Sequence, residues 1–222
     1  ATVDLGNGVF VTQDSGVSVA PERELPEAQL LTLDESLGTS EQLAENDATP
    51  GLPAGLHSVT ADYGALFTGY FDFGADGADT RDGDDDVNDG VTYELKLDGE
   101  PVASGLFAVA EGGGQGAEIQ LSKNATTGAI EGKVGDDVYF TISIDEYSGV
   151  LTFAETDDDG LSIYHGVSGV DNQFDESTGG TLFLEAGVLE LVATGTDGDG
   201  DALEATVDLG NGVFVTQDSG VS

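Results

Sequence analysis

The chain has 222 residues, 38% of them hydrophobic, which is enough apolar sequence for one sizeable core. It carries 44 Asp and Glu against 5 Lys and Arg, a formal net charge of −39, which excludes a phosphate-binding surface and therefore nucleic acid as a partner. The absence of Cys excludes disulfides and thiolate metal sites, and no apolar run is long enough to insert in a bilayer. Cations are the partners that this charge favours.

The same eighteen residues, ATVDLGNGVFVTQDSGVS, stand at 1–18 and at 205–222. Since residue 205 repeats residue 1, the offset is 204 residues, far longer than the roughly 20 to 50 residues of a solenoid repeat. We therefore expect a window of a tandem array, an interior piece of a larger protein. Each repeat then has its own core, and its partners are neighbouring identical repeats in the same chain.

The predicted elements begin after a Pro- and Glu-rich stretch at 21–50, which we interpret as a connector with either one short helix or a lead-in strand around Leu30 to Leu33. Apolar and polar residues alternate from VTYELKLDG at residue 91 onward, as in half-buried strands. Similar segments follow near 105, 117 and 128, at 137–153 with a hairpin turn at Glu146 to Gly149, at 181–196 and at 202–216. About ten short strands without a periodic helix predict an all-β, antiparallel, immunoglobulin-like sandwich.

Acidic residues concentrate in three Gly-rich loops between these strands. Gly frees the backbone, and alternate Asp carboxylates on short stems can converge on a cation that prefers oxygen ligands, Ca²⁺ before Mg²⁺. The candidate ligands in these loops are Asp82, Asp84, Asp86 and Asn88, then Asp157 and Asp159, then Asp197, Asp199 and Asp201.

Neither of two common calcium motifs fits these loops. An EF-hand needs Gly at its sixth position and Glu at its twelfth, where the first run has Val87 and Tyr93. The nonapeptide of the calcium β-roll is also missing. Each Asp taken alone is explained by a solvated turn, but carboxylates packed this closely repel one another unless a cation or protons intervene.

The segments FTISIDEYSGVLTF, LFLEAGVLELVATGTDGDGDALEATVDLG and VFVTQDSGVS together resemble the extender repeat of giant RTX (repeats-in-toxin) adhesins exported by type I secretion. The resemblance implies sandwich domains in long arrays, stiffened by Ca²⁺, that hold a ligand-binding tip away from the bacterial cell. It assigns the acidic turn to Asp197, Asp199 and Asp201, and the hinge acids to Asp14 and Asp218. The hinge here reads QDSGVS, without the acidic pair and Pro common in that family.

This resemblance sets the expected domain boundaries: a terminal strand and hinge of the preceding repeat at 1–18, a connector at 19–55, the sandwich at 56–218 and the next hinge from 219 to 222. We expect an extracellular, calcium-stabilised spacer. The alternatives are a calcium-dependent lectin-like module and a domain of a halophilic secreted enzyme. No catalytic motif is present, and the two histidines, His57 and His165, are interpreted as packing or surface residues, so we predict that the chain is not an enzyme.

Overall fold

The computed structural model describes residues 16–21, 23–34, 58–79, 90–111, 114–156, 161, 163–164, 178–182, 184–210 and 212–218. These residues contain one five-residue helix, α1 (Tyr63–Phe67), and fourteen strands. The strands are β1 (Ser18–Val19), β2 (Leu31–Asp34), β3 (Ser58–Asp62), β4 (Phe71–Asp72), β5 (Val91–Leu97), β6 (Val102–Val109), β7 (Gln115–Lys123), β8 (Ile130–Val134), β9 (Asp137–Ile144), β10 (Val150–Glu155), β11 (Thr178–Thr181), β12 (Leu189–Thr196), β13 (Ala202–Asp208) and β14 (Phe214–Asp218).

The largest layer is a six-stranded antiparallel sheet with the order β3-β10-β9-β8-β7-β6. Five of its strands follow one another in sequence, so short turns suffice to connect them. The hairpin predicted at Glu146 to Gly149 joins β9 and β10: the N–H of Gly149 donates to the carbonyl of Asp145, and Gly149 has a φ of +66°. Glycine adopts this left-handed conformation at little steric cost.

Two three-stranded sheets, β13-β12-β5 and β11-β14-β2, form the opposite layer. They contact the six-stranded sheet through β5 with β9 and through β2 with β3 and β10. Strand β14 is antiparallel to β11 but parallel to β2, with Phe214 opposite Leu31. A two-stranded ribbon of β1 and β4 completes the sheets.

One hydrophobic core joins the layers. It takes residues from both three-stranded sheets, from the inner face of the six-stranded sheet and from α1. The ring of Phe153 on β10 meets the ring of Phe214 on β14 edge to face, with centroids 5.2 Å apart. On β5, Val91, Tyr93 and Leu95 are buried while Glu94 is exposed, as the alternation of the sequence predicts.

The prediction of an all-β antiparallel sandwich is therefore confirmed, with the β2–β14 pair as a parallel exception. The lead-in strand, one of two alternatives for the connector, is the one present: Leu31 and Leu33 of β2 are buried in the core. The sequence predicted no helix at 63–67, but α1 is present there, and the carboxylate of Asp62 caps it by accepting from the N–H of Ala65 at 2.8 Å. No helix in the described part of the chain is long and apolar enough to cross a membrane.

Candidate metal site

The third acidic loop of the sequence is the tight turn that joins β12 to β13, residues 197–201. The N–H of Asp197 donates to the carbonyl of Asp201 at 2.9 Å, and the N–H of Gly200 donates to the carbonyl of Asp197 at 3.1 Å. Gly200 has a φ of +104°, a conformation that side chains disfavour. The alternation of Asp and Gly thus folds the turn so that its carboxylates lie close together.

Asp197 is fully buried, with 0% of its surface exposed. Its Oδ1 accepts hydrogen bonds from the N–H groups of Gly200, at 3.0 Å, and Asp201, at 2.8 Å. Its Oδ2 is also buried, and it has no hydrogen-bond partner among the described residues. A buried carboxylate oxygen without a partner is costly, so this atom indicates a missing ligand.

Segments that are distant in sequence bury Asp197. The N–H of Gly198 donates to the carbonyl of Gly77 at 2.9 Å, and Ala78 forms a bridge with Asp197. Thr196, the preceding residue, donates to the carbonyl of Gly90 at 2.7 Å and accepts from the N–H of Asp79 at 2.9 Å. These bonds place residues 77–79 and Gly90 directly against the turn.

Asp197, Asp199 and Asp201 each offer one carboxylate oxygen within 4.8 Å of the others, so the three can hold a metal ion. Asp199 and Asp201 are exposed, which leaves the group open to solvent on one side. Oxygen atoms at this spacing can reach one cation at the bond lengths of about 2.3 to 2.6 Å typical of Ca²⁺.

Burial raises the pKa of the Asp197 carboxyl, whereas the hydrogen bonds that it accepts from the N–H groups of Asp201 and Gly200 lower it. The lowering prevails, so the pKa of Asp197 lies below its ordinary value. The turn therefore holds a charged carboxylate in a buried position, which is the form that a cation binds.

A residue of the repeated hinge segment also reaches this turn. A methyl group placed on Gly16 would lie 2.9 Å from Oδ2 of Asp201, so Gly16 packs directly against that carboxylate. The next residue, Val17, is half-buried against the core, and β1 follows it. Residues 16–18, the described part of the N-terminal hinge segment, thus lie beside the acidic turn.

One of the predicted groups of ligands lies among the described residues, and the structure brings its three carboxylates together. Asp218 is the last residue of β14, where its backbone pairs with Thr178, and its side chain is outside the described residues. The other candidates, Asp14, Asp82, Asp84, Asp86, Asn88, Asp157 and Asp159, lie outside the described residues, as do His57 and His165.

Sequence reasoning missed the residues that enclose the turn, namely Gly16, Gly77 and Gly90. A methyl group on Gly90 would lie 2.7 Å from the carbonyl oxygen of Thr196, so only glycine allows this approach. The Gly-rich composition of these segments was visible in the sequence, but their position against residue 197 depends on tertiary packing.

Comparisons with known proteins complete the description of the chain. No curated protein and no solved structure matches it. The model of a family described as a domain of unknown function (DUF5801) matches residues 30–210, most of the sandwich together with the lead-in strand β2. The chain belongs to this family.

Proposed function

We propose that the chain is a calcium-stabilised extender module of a large bacterial surface adhesin, one of several neighbouring identical repeats that hold a ligand-binding tip away from the cell. The observation that carries the proposal is the buried Oδ2 of Asp197, which has no hydrogen-bond partner among the described residues and lies in a turn with two further carboxylates. A module of this kind has a mechanical role, not an enzymatic one.

The donor atoms favour calcium over other common metal ions. All three side chains offer hard carboxylate oxygens, and the chain has no Cys for a zinc site. Ca²⁺ accepts six to eight oxygen ligands in a flexible arrangement, which suits a turn with one solvent-exposed side. Mg²⁺ demands a stricter octahedron and keeps more of its waters.

The repeated segment supports a role at the junction between domains. Residue 220 repeats residue 16, so in a tandem array Gly220 takes the place of Gly16 against the acidic turn of the next repeat. Strand β14 ends at Asp218, which leaves only Ser219 between the last strand of one sandwich and the contact with the next.

So short a connection leaves little freedom between two neighbouring domains, and the acidic turn of one domain lies next to this connection. A cation at the turn neutralises carboxylates that otherwise repel the incoming hinge, which carries Asp218. Calcium then both stabilises each sandwich and limits bending at the junction. We therefore expect an array of these repeats to be extended and stiff.

Small-angle scattering on a chain of two complete repeats tests this function. In Ca²⁺ the maximum dimension should approach twice that of one repeat, and chelation should broaden the distribution of dimensions. The variant D199N/D201N should resemble the chelated form even in Ca²⁺. The control D136N/D137N removes the same charge from the exposed β8–β9 turn and should stay extended.

Two repeats packed side by side in Ca²⁺ would contradict the spacer function. An extended shape that chelation leaves unchanged would contradict the role of calcium while retaining the spacer.

A further inference from the structure

Among the described residues, strand β5 is an edge strand of its three-stranded sheet, with β12 as its one neighbour. The N–H of Thr196 donates to the carbonyl of Gly90, so these two residues form a hydrogen-bonded pair. Strand β5 begins at the next residue and is antiparallel to β12 in the same register. Bonding pairs alternate along antiparallel strands, so Thr92, Glu94 and Lys96 bond to β12 while the main-chain groups of Tyr93 and Leu95 point away from it. Such an outward row of N–H and C=O groups is a template for another strand.

Two contacts from the opposite layer occupy part of this row. The N–H of Tyr93 donates to the carbonyl of Glu146, at 2.8 Å, in the β9–β10 turn. Farther along β5, the ammonium group of Lys123, the last residue of β7, donates to the carbonyl of Leu95 at 2.6 Å. Lys123 thus places a side-chain donor where a pairing strand would place its main-chain N–H.

The surroundings hold the Lys123 side chain on this edge. The carboxylate of Glu94 lies 3.7 Å from Lys123 Nζ, and the lysine side chain is 31% exposed. Beside these groups lies an open groove of about 350 Å³, which residues of β5 line together with Lys123, Thr127 and Thr194. The groove leaves room for a short extended segment alongside β5.

We propose that Lys123 is an edge-blocking residue that prevents β5 from pairing with the β5 edge of another copy of this domain. A lysine directed onto a sheet edge opposes strand pairing in two ways. Here its ammonium group occupies the carbonyl of Leu95, and an added strand would bury that charged group. The occupant that it excludes is an identical strand, because antiparallel pairing of two copies needs no partner other than the chain itself.

The hazard is greatest in a tandem array, where identical edges are present at a high local concentration. Net negative charge opposes association at low ionic strength, but salt and bound cations screen that repulsion. A short-range block on the edge itself therefore becomes important when the net charge is screened. This inference stands on β5 and Lys123 alone and does not depend on calcium binding.

The test compares K123M, K123R and K96M with the wild-type chain by sedimentation velocity, in buffer with about 0.5 M NaCl to screen the net charge. K96M is the matched control, because Lys96 also lies near Glu94, at 3.6 Å. Its ammonium group pairs with Glu204 on the outer face of the sheet and does not bond to an outward-pointing carbonyl of β5. Wild type, K123R and K96M should be monomeric. K123M should associate at least tenfold more tightly, and the double variant K123M/T127K, which returns a lysine to the groove, should be monomeric again.

Circular dichroism and the thermal midpoint establish that each variant is folded. If K123M does not fold, K123A takes its place in the same comparison. A folded K123M or K123A that stays as monomeric as K96M would overturn the proposal, as would association that persists in K123M/T127K.

Discussion

Two turns of this sandwich begin with an Asp and use it in the same way, yet only one of them has the features of a metal site. In the β9–β10 turn, Oδ1 of Asp145 accepts from the N–H groups of Tyr147, at 3.2 Å, and Ser148, at 2.8 Å. In the β12–β13 turn, Oδ1 of Asp197 accepts from two N–H groups three and four residues onward. In both turns, one carboxylate oxygen of the Asp thus accepts from two main-chain N–H groups of its own turn.

The turns differ in what surrounds the second carboxylate oxygen. Asp145 is exposed, so water can solvate its second carboxylate oxygen, and no other acid among the described residues joins it in a ligand group. Asp197 is buried beneath segments 77–79 and 90, and two further carboxylates adjoin it. An Asp-led turn at the surface therefore needs no ligand, because water solvates its second carboxylate oxygen. When such a turn is buried, that oxygen and its charge need a cation instead.

The largest expected effect is the loss of calcium stabilisation in D197N. A cation that binds only the folded state stabilises it in proportion to its excess over Kd, so Ca²⁺ at about a hundredfold excess should raise the wild-type midpoint by on the order of 10 °C. D197N should lose most of that rise, while D145N should keep it. Thermal unfolding of the three proteins in Ca²⁺ and in chelator is the measurement. An equal calcium response in wild type and D197N would remove the distinction between the turns.

A smaller effect is expected from G16A, which leaves every carboxylate in place. The added methyl group would push against Oδ2 of Asp201, 2.9 Å away, so the carboxylate must shift from its position in the turn. We expect the calcium affinity to fall about tenfold, as for other changes next to metal ligands, with little change in the midpoint in chelator. Calcium titration of G16A against wild type measures this. Unchanged affinity would mean that the hinge and the metal turn are independent.

The smallest effect concerns the surface turn and appears only in acid. Hydrogen bonds from the main chain and side chain of Ser148 are the main reason that the pKa of Asp145 is lowered from 3.8. A lowered folded-state pKa contributes stability above the unfolded-state pKa, and this contribution is lost as the pH falls through the folded-state value. D145N should therefore be less stable than wild type by at most a few degrees at neutral pH, and the gap should close below about pH 4.

Asn124 in the β7–β8 turn supports the choice of Asn for this experiment. Its Oδ1 accepts from the N–H groups of Thr126, at 2.9 Å, and Thr127, at 3.2 Å, so a neutral amide can make the same turn. D145N thus removes the charge while keeping the hydrogen bonds. Midpoints measured from pH 2 to pH 7 in chelator decide the matter, and a gap that widens in acid would contradict the assignment.

Local patterns account for what the sequence predicted well. The alternation in β5, the hairpin with Gly149 and the Asp-Gly turn at 197–201 each depend on neighbours a few residues away. The parallel pairing of β2 with β14 joins residues on opposite sides of the whole domain, and no local pattern encodes it. α1 was missed because five residues contain too little helical periodicity to detect.

The candidate site divides in the same way. Its three carboxylates were predicted from spacing, since alternate Asp residues in a tight turn converge whatever surrounds them. The burial of Asp197 and the contact of Gly16 with Asp201 were not predicted, because they depend on segments from elsewhere in the chain that pack against the turn. These unpredicted contacts are what separate this turn from the one at Asp145.

Direct calcium binding to the turn is the central claim, and calorimetric titration tests it most directly. Titration of wild type, the triple variant D197N/D199N/D201N and the control D136N/D137N should show one fewer calcium site in the triple variant only. Binding in the control should match wild type in stoichiometry, since its charge change lies in a different turn. The same number of calcium sites in wild type and in the triple variant would contradict the account.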